Sequence, residues 1–233
     1  MTNPGVSMGT RNDTRKVPQD VRAAVRRASK SLAASIKVVG RPNRAKDQPI
    51  PEQNLVLHLG SALLARGYSV YGEADLPRAG RIDLLACNDG HGLIVEAATF
   101  GSINMAKLLN DARRLERFRP QGPWKLLSRQ PANAFWKCLD ERWAMIMVLG
   151  FAWKHLTVCW SNLLDTERLD EALTAKEVRD IRAFGTGRRE DMRQLGKFLR
   201  GRGAELGVVS VLDQDLWRDV MPLWLLWAAW PLR

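Results

Sequence analysis

Two acidic side chains interrupt apolar stretches of this chain. Asp83 lies in Arg81-Ile82-Asp83-Leu84-Leu85, and Glu96 in Leu93-Ile94-Val95-Glu96-Ala97-Ala98-Thr99-Phe100. A third acid, Glu52, opens a helical pattern. A carboxylate inside an apolar strand is costly unless it is paired, solvated or bound to a cation. Residues two apart on a strand share a face, so Glu96 and Ala98 point the same way. Ala97 then points into the core, with its carbonyl still able to reach a cation. The same alternation puts Ile82, Leu84 and Ala86 opposite Asp83. Glu52 precedes Leu55 and Val56 by three and four residues, at the edge of a buried stripe. Each acid also has a simpler explanation. Glu52 suits a helix N-terminus, Asp83 could pair with Arg81 or Arg66, and Glu96 could end a strand at the sheet edge.

The elements that must hold these residues can be read from periodicity. Val21, Ala24, Val25, Ala28, Leu32 and Ile36 recur at helical spacing from Pro18 on, and Gly40-Arg41-Pro42-Asn43 ends that helix. A second helix starts at Pro51-Glu52, carries Leu55, Val56, Leu59, Ala62 and Leu63, and is closed by Gly67. Strands are expected near 68–73, 81–87 and 93–98, with turns at Pro77, Gly80 and Asn88-Asp89-Gly90. Ser102 should cap a third helix with Met105, Leu108, Leu109, Ala112 and Leu115 on one face. Lys107 falls away from that stripe and should face solvent. Ala144–Leu149 reads as a strand buried on both faces, and residues 161–203 as helical with interrupting glycines. Residues 207–212 read as a strand and 215–230 as a closing helix. The expected class is α/β with a mixed central sheet flanked by helices.

The order of helix, antiparallel strands and acids resembles the core of the PD-(D/E)XK, restriction-endonuclease-like nucleases, most closely over residues 50–118. Thirteen residues separate Asp83 from Glu96, as two strands joined by a short turn require. The last motif of that family is Glu-x-Lys, and here Ala98 stands at the lysine position. The resemblance implies a restriction-endonuclease-like fold and metal-dependent hydrolysis of phosphodiester bonds in DNA. Glu52, Asp83, Glu96 and position 98 would be its catalytic positions. Mg²⁺ or Mn²⁺ would be held by Asp83, Glu96 and the Ala97 carbonyl, with Glu52 as a further contributor. Loss of the lysine implies a rate lower by about 10²–10³, by analogy with removal of one charge-stabilising donor. Ala98 then marks either a lysine replaced by alanine or an inactive, nucleic-acid-binding or regulatory protein on the same fold.

Charge supports a polyanionic partner. Of the net +11, +8 falls in residues 1–50, which hold eleven Lys/Arg against three Asp/Glu. This divides the chain into a basic arm and helix, 1–45, and a nuclease-like domain, 46–233. Arg22, Arg26, Arg27 and Lys30 on the first helix, with Arg113, Arg114 and Arg117 on the third, are the expected nucleic-acid contacts, DNA before RNA. A second basic segment runs from Arg188 to Arg202. Trp217, Trp224, Trp227 and Trp230 on the expected last helix suit core packing, or an interface with another copy or a protein partner. Three cysteines and three scattered histidines give no disulfide framework and no zinc spacing. The apolar run 220–232 is too short to span a membrane and contains Pro222 and Pro231. A cytoplasmic protein without a membrane partner is the expectation.

Overall fold

The computed structural model describes residues 17–39, 52–76, 80–88, 91–99, 105–117, 141–151, 154–176, 186–212 and 223–232. Helix α1 spans Gln19–Val39 and α2 Glu52–Leu64. Three strands follow: β1 Ser69–Leu76, β2 Gly80–Cys87 and β3 His91–Thr99. Helix α3 covers Met105–Glu116 and leads to strand β4, Glu141–Phe151. Helices α4 (Lys154–Ser161), α5 (Thr166–Thr174) and α6 (Thr186–Gly201) precede β5 (Glu205–Leu212) and β6 (Leu223–Pro231).

One six-stranded sheet has the order β1-β2-β3-β4-β6-β5. β3 and β4 are parallel and every other neighbouring pair is antiparallel. A parallel pair needs a crossover, and α3 lies in that connection. The expected mixed sheet between helices is therefore observed.

Strand alternation builds two cores. On β4, Ala144, Ile146 and Val148 face a cluster with α3, α4, α5 and α6, while Trp143, Met145, Met147 and Leu149 face one with α1 and α2. Helix α1 enters the second cluster through Val21, Ala24, Val25, Ala28 and Leu32. It is also tied to β5, since Arg22 pairs with Glu205 at 2.8 Å and the Val17 amide donates to the same carboxylate at 3.2 Å. The basic helix at the N-terminal end is thus part of the shared core.

Local signals account for several boundaries. Gly67 has φ +81° and follows the last turn of α2, where Tyr68 N donates to Leu63 O at 3.2 Å. Asn88 closes the β2–β3 hairpin by accepting the His91 amide at 2.8 Å. Lys107 is exposed, as its position on α3 predicts. Pro77, Asp89-Gly90, Ser102, Trp217 and residues 40–51 lie outside the described residues.

The expected closing helix is instead strand β6, at least over its described part. It runs between β4 and β5, so both its edges are hydrogen-bonded and both its faces are covered. Trp224, Leu226, Ala228 and Trp230 pack with one cluster, while Leu223, Leu225, Trp227 and Ala229 pack with the other. A continuous apolar run fits a buried strand and a buried helix equally well by periodicity. The three-residue tryptophan spacing, read as one helical face, divides these rings between two sides of a sheet. Trp227 and Trp230 are buried, which is the core packing expected of them, on a strand instead of a helix.

Candidate functional site

β2 and β3 pair from Cys87↔Gly92 to Leu84↔Val95. Beyond that register the Asp83 side chain takes over, its Oδ2 accepting the Ala97 amide at 2.7 Å. A carboxylate thus replaces a backbone acceptor where the ladder ends, and its charge strengthens the bond. On its other edge β2 pairs with β1, and Glu73 falls between the pairs Gly72↔Leu84 and Ala74↔Ile82 with φ 51°. A positive φ is costly for a residue with a Cβ and marks a local bend. Ile82 packs with Leu85 and Cys87 in the α3-side cluster, while Leu84 and Ala86 face α2. The expected common face of Ile82, Leu84 and Ala86 is therefore broken at Asp83.

Glu96 sits in the interior strand β3 and is 6% exposed, so it does not end a strand at a sheet edge. Its carboxyl group lies close enough to Asp83 for that acid to raise its pKa together with burial, and its Oε1 accepts from Arg114 of α3. Arg114 also lies 3.4 Å from Asp111 on the same helix. Burial pushes the Glu96 pKa up to about 8, with Asp83 and Asp111 adding to the rise and Arg114 opposing it. A protonated Glu96 can donate to Asp83 while still accepting from Arg114, so both contacts persist in that form.

Asp83 is reached from the α2 side through a cavity of about 490 Å³, lined by Gln53, Asn54, Val56, Gly60, Val70 and Glu73 among others. Both arginines expected beside Asp83 are engaged elsewhere: Arg81 pairs with Glu73, and Arg66 donates to the Ala62 carbonyl. Glu52 is the first residue of α2, and its side chain lies outside the described residues. Ala97 packs in the α1–α2 cluster, as expected of a residue between Glu96 and Ala98. Ala98 is 6% exposed and belongs to the cluster formed with Met105, Leu108 and Leu109 of α3.

The anticipated basic contacts separate into engaged and open side chains. Arg26, Arg27 and Lys30 are exposed on α1, and Arg113 and Arg117 are exposed on α3. Arg22 is drawn into its pair with Glu205, and Arg114 into the acid cluster. In the later basic segment, Arg193 pairs with Asp170, Arg200 donates to Thr166, and Arg202 pairs with Glu116 at 2.9 Å. Those arginines are fastened to neighbouring helices rather than presented as one stripe.

Sequence reasoning missed Asp111 and the link from Arg114 to Glu96. The signal was there: Asp111 lies one turn after Leu108 in the α3 stripe and one turn before Arg114. Which strand acid Arg114 would meet depends on how α3 crosses the sheet, which spacing does not encode.

Asp83 and Glu96 supply neighbouring oxygen donors of the hard kind that a divalent cation takes. Among the described residues no group of three His, Cys, Asp or Glu side chains is arranged to hold a metal ion. Asp83 and Glu96 bring two carboxylates together there, fewer than such a group. Cys87 and Cys159 are buried free thiols, pushed up by burial to about 12 and about 11, which keeps them protonated. Among the described residues no helix is long and apolar enough to cross a membrane. Compared with models of protein families, with curated proteins and with solved structures, the chain matches none.

Proposed function

We propose that this chain is a metal-dependent, restriction-endonuclease-like phosphodiesterase acting on DNA, weakened or silenced by Ala98. The observation that carries this reading is the juxtaposition of Asp83, bonded to the Ala97 amide, with buried Glu96 one residue before it, where the β2–β3 ladder ends. Asp83, Glu96 and the Ala97 carbonyl would hold Mg²⁺ or Mn²⁺. Such an ion lowers the pKa of bound water and neutralises charge on a phosphate. The chain's own residues do the rest. Asp83 fixes the end of β3 through the Ala97 amide, and burial of Glu96 excludes bulk water from one side of the pair. Arg26, Arg27, Lys30, Arg113 and Arg117 would meet backbone phosphates.

A second reading is a non-catalytic nucleic-acid-binding or regulatory protein on the same fold. The enclosure of Ala98 in the core favours it. A cytoplasmic setting suits either reading.

Calorimetric titration with Mn²⁺ tests the metal site directly: this sequence should bind the ion and Asp83→Asn should not. Equal responses would make the carboxylates structural. Cleavage of linear and plasmid DNA by Ala98→Lys, dependent on Mg²⁺ or Mn²⁺ and abolished by adding Glu96→Ala, separates the two readings. A folded, metal-binding Ala98→Lys protein that cuts neither DNA nor RNA would favour the regulatory one. Because Ala98 is packed, the new stem must snorkel past α3, at about 1–3 kcal/mol of stability.

A further inference from the structure

Building on the phosphodiesterase reading above, we propose that Arg114 is a catalytic residue of this site, its guanidinium contacting the scissile phosphate in place of a cation from position 98.

Four observations converge on Arg114. Its guanidinium touches Glu96, on the β3 face shared with Ala98 and turned towards α3. The helix that carries it is held by buried Met105, Leu108, Leu109, Ala112 and Leu115, so the charge is presented from a rigid support. Its side chain is 36% exposed, which leaves a route for a solvent-borne phosphate. Its Nε is buried and has no hydrogen-bond partner among the described residues. A guanidinium has five donors in a fixed fork, so contacts with Glu96 and Asp111 leave donors for a phosphate. Lys107 and Arg113 on the same helix are exposed, and no ion pair ties either to Glu96 among the described residues.

In the hydrolysis, a water oxygen bonds to phosphorus and one ester P–O bond breaks. The two protons of that water end on the leaving oxygen and on the new phosphomonoester. Negative charge builds on the non-bridging oxygens during this exchange, and a preorganised cation there lowers the barrier. Arg114 transfers no proton in this exchange. With phosphate bound, one of its donors would turn from carboxylate to phosphate while α3 remains in place.

The test compares the full-length protein with Arg114→Gln, Arg114→Lys, Ala98→Lys and the double variant Ala98→Lys/Arg114→Gln. Three quantities are read: Mn²⁺ affinity by calorimetry, inorganic phosphate affinity of the Mg²⁺-loaded protein, and cleavage of linear DNA. Arg114→Gln should bind Mn²⁺ at least as tightly as the parent, bind phosphate about tenfold or more weakly, and cut about 10²–10³ more slowly. Arg114→Lys should fall between them, and the double variant should regain cleavage because the charge is supplied again. Parental phosphate affinity and cleavage in Arg114→Gln would overturn the proposal while leaving the phosphodiesterase reading intact. So would cutting by Ala98→Lys alongside none by the parent. Failure of every protein, Ala98→Lys included, to bind Mn²⁺ or cut DNA would instead remove the underlying reading and this proposal with it. If Arg114→Gln does not fold, Arg114→Lys, checked by thermal melting, decides the matter: parental phosphate affinity and cleavage in it would overturn the proposal.

Discussion

Asp83 Oδ2 accepts the backbone amide of Ala97 at 2.7 Å, so one strand's acid completes the hydrogen bonding of the next strand beside Glu96. The side chain expected to hold a cation is therefore also a structural acceptor, and the two roles can be separated. Asp83→Ala leaves the amide of a buried residue without its acceptor and should cost about 1–3 kcal/mol in urea unfolding. Asp83→Asn retains an amide oxygen and should cost clearly less while abolishing Mn²⁺ binding. Equal stability of the alanine variant and the parent would show that the bond is not needed for folding.

Glu96 gives stability a pH dependence of unusual sign for a carboxylate. Its ordinary value is 4.5 and burial raises it to about 8 in the folded protein. Between those values the folded chain keeps a proton that the unfolded chain has released. The contribution of Glu96 is therefore fully present below about pH 4.5 and lost as pH rises through 8. Thermal melts of Glu96→Gln against the parent, without metal, should differ increasingly in favour of the variant from about pH 5 to about pH 8. A difference independent of pH would mean that Glu96 is ionised throughout the range.

Nucleic-acid affinity should depend on the exposed cations of α1. Its buried face belongs to the core, so deleting the helix would confound charge with folding. Substituting Arg26, Arg27 and Lys30 by Gln leaves that face intact. The slope of log K against log[salt] on duplex DNA should become shallower by about 0.9 for each phosphate no longer neutralised. Arg22→Gln should act mainly on stability, through Glu205. An unchanged slope in the triple variant would remove α1 from the interface.

Two glycines mark close approaches that the fold cannot widen cheaply. A Cβ at Gly196 would stand 2.2 Å from the Leu163 carbonyl oxygen, and one at Gly207 would stand 2.1 Å from Trp227 Nε1. Either alanine variant should lose about 1–3 kcal/mol in denaturant unfolding, whereas Gly201→Ala, with open space around it, should not. Parental midpoints in both would show that the Leu163 backbone and the Trp227 ring can give way.

The sequence by itself determined the elements whose pattern is strict. The stripes of α1, α2 and α3, the alternation through Glu96-Ala97-Ala98 and the glycine after α2 each follow from a local period or a local φ requirement, and each is found in place. The continuous apolar run Ala144–Leu149 also reads as a strand buried on both faces, and it lies within β4. Tertiary structure alone decided the rest. β6 is a strand because β4 and β5 satisfy its two edges, a condition set by chain segments far from it in sequence. Helix α1 joins the core because its apolar stripe meets α2 and the sheet, with Arg22 also held by Glu205, 183 residues away. Arg114 meets Glu96 because α3 lies across β3, and crossing geometry depends on side-chain packing between layers rather than on spacing along one of them. Local periodicity fixes which face a residue occupies; only packing fixes what that face meets.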